Sequence, residues 1–160
     1  MPHVELSLFP RQQDVSDEPA VPAQLPRART PEQGLASPIE RWAVVAAGAG
    51  EPCLVLDPDG VIVASSPAFR LLFGLGEAQR ANGRGMLDGL YLVDFTARPD
   101  RLARGDLERI PPLLALSTGG LARGLLRVRV GELVRTVDAV ATPLWDGPAL
   151  AGSLSFFSPV

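Results

Sequence analysis

The chain has 160 residues, 46% hydrophobic and 21% charged, a balance that suits one globular domain with an extension and excludes collagen-like and coiled-coil organisation. Fifteen basic side chains against eighteen acidic ones give a formal charge of −3, so the overall field offers no reason to approach nucleic acid. No apolar run reaches the roughly 18 residues of a membrane-spanning helix, so no membrane partner is expected.

The stretch from Met1 to Asp14 carries acid early and has no apolar core, so no secretory signal is read there and a cytoplasmic location is expected. Seven of the sixteen prolines lie in the first 38 residues, among Gln, Ser, Asp and Glu. Residues 1–36 are therefore expected to be a disordered Pro-rich tail. Their apolar surface is too small to offset a backbone ordering entropy of about 1 kcal/mol per residue. Such a tail is either a recruitment segment or a solvated extension.

Order is expected from Ser37, which can cap a helix with Pro38 at its first position and Glu40 three residues on. Ile39, Trp42 and Val45 or Ala46 would share one face, with Gly48 and Gly50 as the stop. Cys53 to Ser65 reads as a hairpin of two aliphatic runs joined by Asp57-Pro58-Asp59-Gly60, in which Pro presets φ and Gly accepts positive φ. Ser66-Pro67 then opens a short apolar helix through Phe69, Leu72 and Phe73, closed by Gly74 and Gly76. Residues 77–97 are Gly-rich, with single helical turns expected around Ala78–Ala81 and Met86–Tyr91. From Pro99 a helical pattern runs to Gly119-Gly120, kinked or split at Pro111-Pro112.

Three strands, 123–130, 133–143 and 149–158, form a closing meander with turns at Gly131-Glu132 and Asp146-Gly147-Pro148. Leu126, Val128 and Val130 alternate with Arg127 and Arg129, the period-two mark of a strand with one buried and one wet face. A two-residue turn at Gly131-Glu132 would set Val130 opposite Leu133 and Leu126 opposite Val137, putting Arg135 beside Val128 on the apolar face. There it would be met by a ligand carboxylate, by a bulge, or by snorkelling at the strand end.

The order helix, hairpin, short helices, three strands is an α+β layout: a five-stranded antiparallel sheet with helices on one face. At this point LVLDPDGVIVASSPAF resembles the opening hairpin and first helix of the PAS sensory domain. PLWDGPALAGSLSFF, with Gly152, resembles its closing hairpin, and the likeness runs from 40 to 158 in element order. Where that family often carries Asn before Pro-Ala-Phe, this chain has Ser66, another capping residue. The resemblance implies a PAS-like sensor or interaction domain over residues 37–160, expected to stand alone because the final strand ends the chain. It implies regulation through protein contact or homodimerisation, with a small apolar ligand held between helices and sheet.

No cofactor is assigned. Haem-binding members use a histidine of the long helix, and the one histidine here is His3, in the tail. The flavin-adduct branch places its cysteine in a helix, whereas Cys53, the lone cysteine, opens a strand and has no Lys or His beside it in the sequence. An enzyme is not expected either. There is no histidine in the folded part for a triad and no lysine for a Schiff base. Asp57-x-Asp59-Gly60 lacks the remaining ligands of a calcium loop, and the other carboxylates interleave with arginines as on a solvated face.

Pocket candidates are Phe73, Leu113, Leu116, Arg135 and Leu154. Interface candidates are Trp42, Val45, Phe156 and Phe157, one such aromatic contributing roughly 2 kcal/mol when buried between partners. Two rival readings remain: a receptor whose task is ligand capture, and a cystatin-like α+β enzyme.

Overall fold

A computed structural model describes residues 36–76 and 82–160. The expected tail up to residue 35 and the expected turn at Ala78–Ala81 fall outside those residues. The elements are α1 (Pro38–Ala47), β1 (Cys53–Leu56), β2 (Ile62–Ser65), α2 (Pro67–Leu72), α3 (Met86–Gly89), β3 (Leu92–Val93), α4 (Arg104–Leu107), α5 (Pro111–Thr118), β4 (Ala122–Val130), β5 (Leu133–Asp146) and β6 (Ala149–Pro159). The strands form one antiparallel sheet in the order β2-β1-β6-β5-β4-β3. It has six strands rather than five. The added strand is the two-residue β3, which exists by pairing Leu92 with Val128 and Val93 with Arg127 and has no alternation of its own to announce it.

Local chemistry sets the boundaries. Ser37 and Glu40 close a reciprocal capping box at α1, Glu40 Oε2 accepting from the Ser37 amide at 2.8 Å and Ser37 Oγ from the Glu40 amide at 3.3 Å. In the β1–β2 turn, Asp57 Oδ1 accepts from the amides of Asp59 and Val61, both at 2.9 Å, which spends that carboxylate on the turn. Ser66 caps α2 from a fully buried position, its Oγ accepting from the Phe69 amide and the Cys53 amide, each at 3.0 Å. The helical pattern after Pro99 is split, as Pro111-Pro112 required, into α4 and α5, and Gly119 ends α5 in the left-handed conformation.

Strand alternation divides the core between the two faces of the sheet. Leu54, Leu56, Leu126, Val128, Val137, Ala139 and Phe157 meet Phe69, Phe73 and Met86 on the face covered by α2 to α5, called inner below. Cys53, Val55, Ala64, Leu144 and Leu154 meet Ile39, Ala43 and Ala46 of α1 on the other, outer face. Helix α1 is therefore rotated from its expected face. Ile39, Ala43 and Ala46 point at the sheet, while Trp42 and Val45 are left exposed. The small Ala43 and Ala46 let the helix approach the sheet where an indole would hold it off.

Gly152 lies on β6 against the end of β1, and a Cβ on it would collide with the Leu56 carbonyl oxygen and press on Ile39. The clash is with backbone, which cannot swing away. Gly152→Ala is expected to cost about 1–3 kcal/mol, seen as a lower urea midpoint with the slope of the transition unchanged.

Candidate functional site: a filled inner core and an apolar outer surface

The inner face is where a ligand between helices and sheet would sit, and aromatic side chains occupy it. Phe69 comes from α2 and Phe73 caps the C-terminal end of that helix, with ring centroids 4.4 Å apart. Phe157 of β6 joins them at 5.2 Å from Phe69 and 5.1 Å from Phe73, the latter edge-on. Such tilted and edge-to-face pairs are favourable by about 0.5–1.5 kcal/mol beyond area burial.

The expected pocket set is not brought together. Phe73 belongs to this aromatic trio. Leu113 and Leu116 of α5 pack at the edge of the same core and also line a shallow cavity of about 240 Å³ with Pro58, Asp59, Gly60 and Ser117. Leu154 must be corrected: it lies on the outer face beside Val55 and Leu144, because alternation along β6 turns Ser153, Ser155 and Phe157 inward and Leu154 and Phe156 outward. The same alternation removes Phe157 from the interface set, since it is 2% exposed and part of the inner core.

Arg135 does pair across from Val128, with Val130 opposite Leu133 and Leu126 opposite Val137. It is exposed rather than buried, and its Nη1 donates to the Leu72 carbonyl oxygen at 3.1 Å, where α2 ends. A cation serving the last carbonyls of a helix is well placed for the helix dipole. Among the candidates from outside the core, Trp42 is 40%, Val45 59% and Phe156 45% exposed, on the side of the sheet that α1 covers.

Three features went unread in the sequence. Ser65 and Ser155 flank Leu54 in one cross-strand row, both buried and with no hydrogen-bond partner for their hydroxyls among the described residues. The buried Ser153 beside them donates from Oγ to the Pro112 carbonyl at 3.2 Å. Serines at every second position before Phe157 were the available signal. The third feature is a cavity of about 180 Å³ between the α4–α5 junction and β3–β4, lined in part by Phe95, Asp106, Arg109, Leu125 and Arg127.

Titratable groups point to structural work. Asp94 is held below the usual carboxylate range chiefly by its hydrogen bond from the Thr96 hydroxyl, at 2.7 Å. Asp138 is held down by the Arg123 guanidinium, which approaches to 2.6 Å. Burial raises the Cys53 thiol above its ordinary value, and Cys53 Sγ donates to the Ala46 carbonyl at 3.7 Å beneath α1. That position, on the outer face, does not fit a flavin adduct formed in the inner core. Among the described residues no three His, Cys, Asp or Glu side chains gather as for a metal ion, and no helix is long and apolar enough to cross a membrane.

No protein-family model matches the chain, and no curated protein matches it. Solved structures do. The PAS domain of a Colwellia psychrerythraea protein is 17% identical, with a TM-score of 0.53 over 76% of this chain and 96% of that one. The PAS domain of Bordetella pertussis BvgS is 15% identical, with a TM-score of 0.50 over 76% and 84%. The Rhodobacter sphaeroides LOV protein is 21% identical, with a TM-score of 0.56 over 76% and 65%.

Two outcomes test this arrangement. Phe157→Ala is expected to cost about 3–5 kcal/mol and Phe156→Ala less than about 0.5 kcal/mol in a monomer, compared by urea unfolding; equal costs would contradict the facing of β6. The Cys53 thiol should resist iodoacetamide at neutral pH in the folded chain and react promptly once denaturant is added, followed by mass spectrometry. Taken together, the element order, the sheet topology and these matches show that the chain carries a PAS-fold domain.

Proposed function

We propose that residues 37–160 form a regulatory PAS module of signal transduction, working in the cytoplasm through homodimerisation or a protein partner. The observation that carries this reading is the exposure of Trp42, Val45 and Phe156, three large apolar side chains on the α1 side of the sheet. The filled inner core supports contact, rather than capture of a bulky cofactor, as the primary task. No reaction is assigned.

Gating by a small apolar ligand would work as a population shift, with Phe73, Leu113 and Leu116 repacking to admit it and the sheet passing the change to the outer surface. Only a ligand with different affinity for the two packings would switch anything. One observation favours ligand capture as a second reading: the unpaired hydroxyls of Ser65 and Ser155, polar groups that cost about 1–3 kcal/mol each when left unsatisfied.

Native mass spectrometry of the full chain reads both possibilities at once. A dimer is expected, weakened by roughly 30-fold or more in a Trp42→Ala, Phe156→Ala double variant if these are central contacts. A strictly monomeric chain carrying no small molecule and unaffected by the double variant would end this reading.

A further inference from the structure

The two edges of the sheet are finished differently. At the β2 edge, Ile62 is held by residues 83–85: its amide donates to the Arg84 carbonyl at 2.8 Å and its carbonyl accepts from the Gly83 amide at 2.7 Å. Val61 bridges to Gly85 alongside. At the opposite edge β3 covers β4 only at Arg127 and Val128, extended by the Arg129 amide donating to the Tyr91 carbonyl at 2.9 Å. Beyond that point the chain turns back on itself, the Asp94 amide reaching the Asp100 carbonyl and the Leu102 amide the Leu92 carbonyl, both at 2.9 Å. Since the Arg129 amide points to this edge, period-two geometry directs the amides and carbonyls of Leu125 and Arg123 the same way. Among the described residues no group meets them there.

This open length of β4 borders the 180 Å³ cavity, whose walls are Val93, Phe95, Ile110 and Pro111, with Arg109 and Arg127 against Asp106 as its charges. Further arginines continue along the edge, with Asp94 near enough to Arg127 to feel its charge. Arg101 and Arg129 lie over Tyr91 at 5.7 and 5.4 Å from its ring centroid, and Arg127 over Phe95 at 5.6 Å. The one side-chain ion pair among the described residues is Arg123 with Asp138, so Arg101, Arg109, Arg127 and Arg129 have no carboxylate of their own within 4.0 Å.

We propose that the edge of β4 from Ala122 to Leu126 is a docking site for an extended, carboxylate-bearing segment of a partner protein, which adds to the sheet in line with β3. Edge addition supplies main-chain hydrogen bonds at Arg123 and Leu125, the apolar walls take alternate side chains, and the guanidiniums take the acids between them. A single-stranded nucleic acid fits less well. The aromatic rings on which bases would stack already carry arginines, and the chain as a whole is negative. The site is separate from Trp42, Val45 and Phe156, so its test is independent of oligomeric state.

The test uses the isotope-labelled full chain and three synthetic peptides: alternating valine and aspartate, the same with lysine for aspartate, and the acidic one N-methylated at every second amide. The acidic peptide should slow amide exchange at Arg123 and Leu125, bind about tenfold more tightly than the lysine peptide, and lose about tenfold in affinity to the Arg109→Glu chain. Arg109 is exposed and its side chain makes no hydrogen bond among the described residues, so that variant should fold normally. N-methylation should abolish binding. Equal binding of the N-methylated or lysine peptide, no protection at Arg123 and Leu125, or tighter binding of an oligouridine to the same amides would each overturn the proposal.

Discussion

The alternation of β6 governs the rest of the molecule. It lies between β1 and β5 in the middle of the sheet with helices on both sides, so each of its residues is committed to one core or the other. Phe157 inward completes the aromatic trio with Phe69 and Phe73, and Leu154 outward completes the seat of α1. A slip of one residue would turn Ser153, Ser155 and Phe157 outward and Leu154 and Phe156 inward, exchanging the side chains from which the two cores are built. Burying a side chain such as Phe157 stabilises by about 1.5–3 kcal/mol, and that is the driving force that holds the phase.

The same phase decides how much room the inner face offers. Ser153 and Ser155 are small, as are Ala139, Ala141 and Gly124 on the neighbouring strands. This lets α5 lie close, with Pro111 within 3.4 Å of the position a Gly124 Cβ would take. Close helix packing and aromatic filling together leave the inner face occupied by the protein itself. Of the inward serines Ser153 finds a carbonyl and Ser155 does not, so the polar content of this core is only partly satisfied.

What could be read from the sequence was whatever is decided locally. The capping box at Ser37, the Asp57 turn, the Ser66-Pro67 helix start and the Pro111 break each depend on a few consecutive residues, and each is where it was expected. The register of β4 on β5 followed too, because a two-residue turn leaves it no freedom. The facing of Leu154 and Phe157 was not legible. It depends on the register shift between Leu144 and Trp145 and on Gly152 meeting Leu56, contacts between distant segments. For Arg135 the position was readable and the partner was not, the Leu72 carbonyl being 63 residues away. Trp42 and Val45 fitted a helical stripe as well as Ala43 and Ala46 do, and only packing distance separates those alternatives. Strand β3 had no pattern to read.

The arginines of β4 show how one strand can do two jobs. Arg127 donates from Nη1 to the carbonyls of Asp94 and Thr96 at 3.1 and 3.2 Å, and Arg129 from Nη2 to that of Pro99 at 3.0 Å, so both fasten the returning loop after β3. That loop is what stops β3 after two residues. Yet a guanidinium has five N–H donors, and each of these commits one nitrogen to the loop, so further donors remain on both side chains. Charged side chains on an exposed edge also discourage indiscriminate strand pairing. An edge lined by arginines disfavours basic strands and would admit acidic ones, so the feature that protects β4 from aggregation is also the feature that would give it a choice of partner.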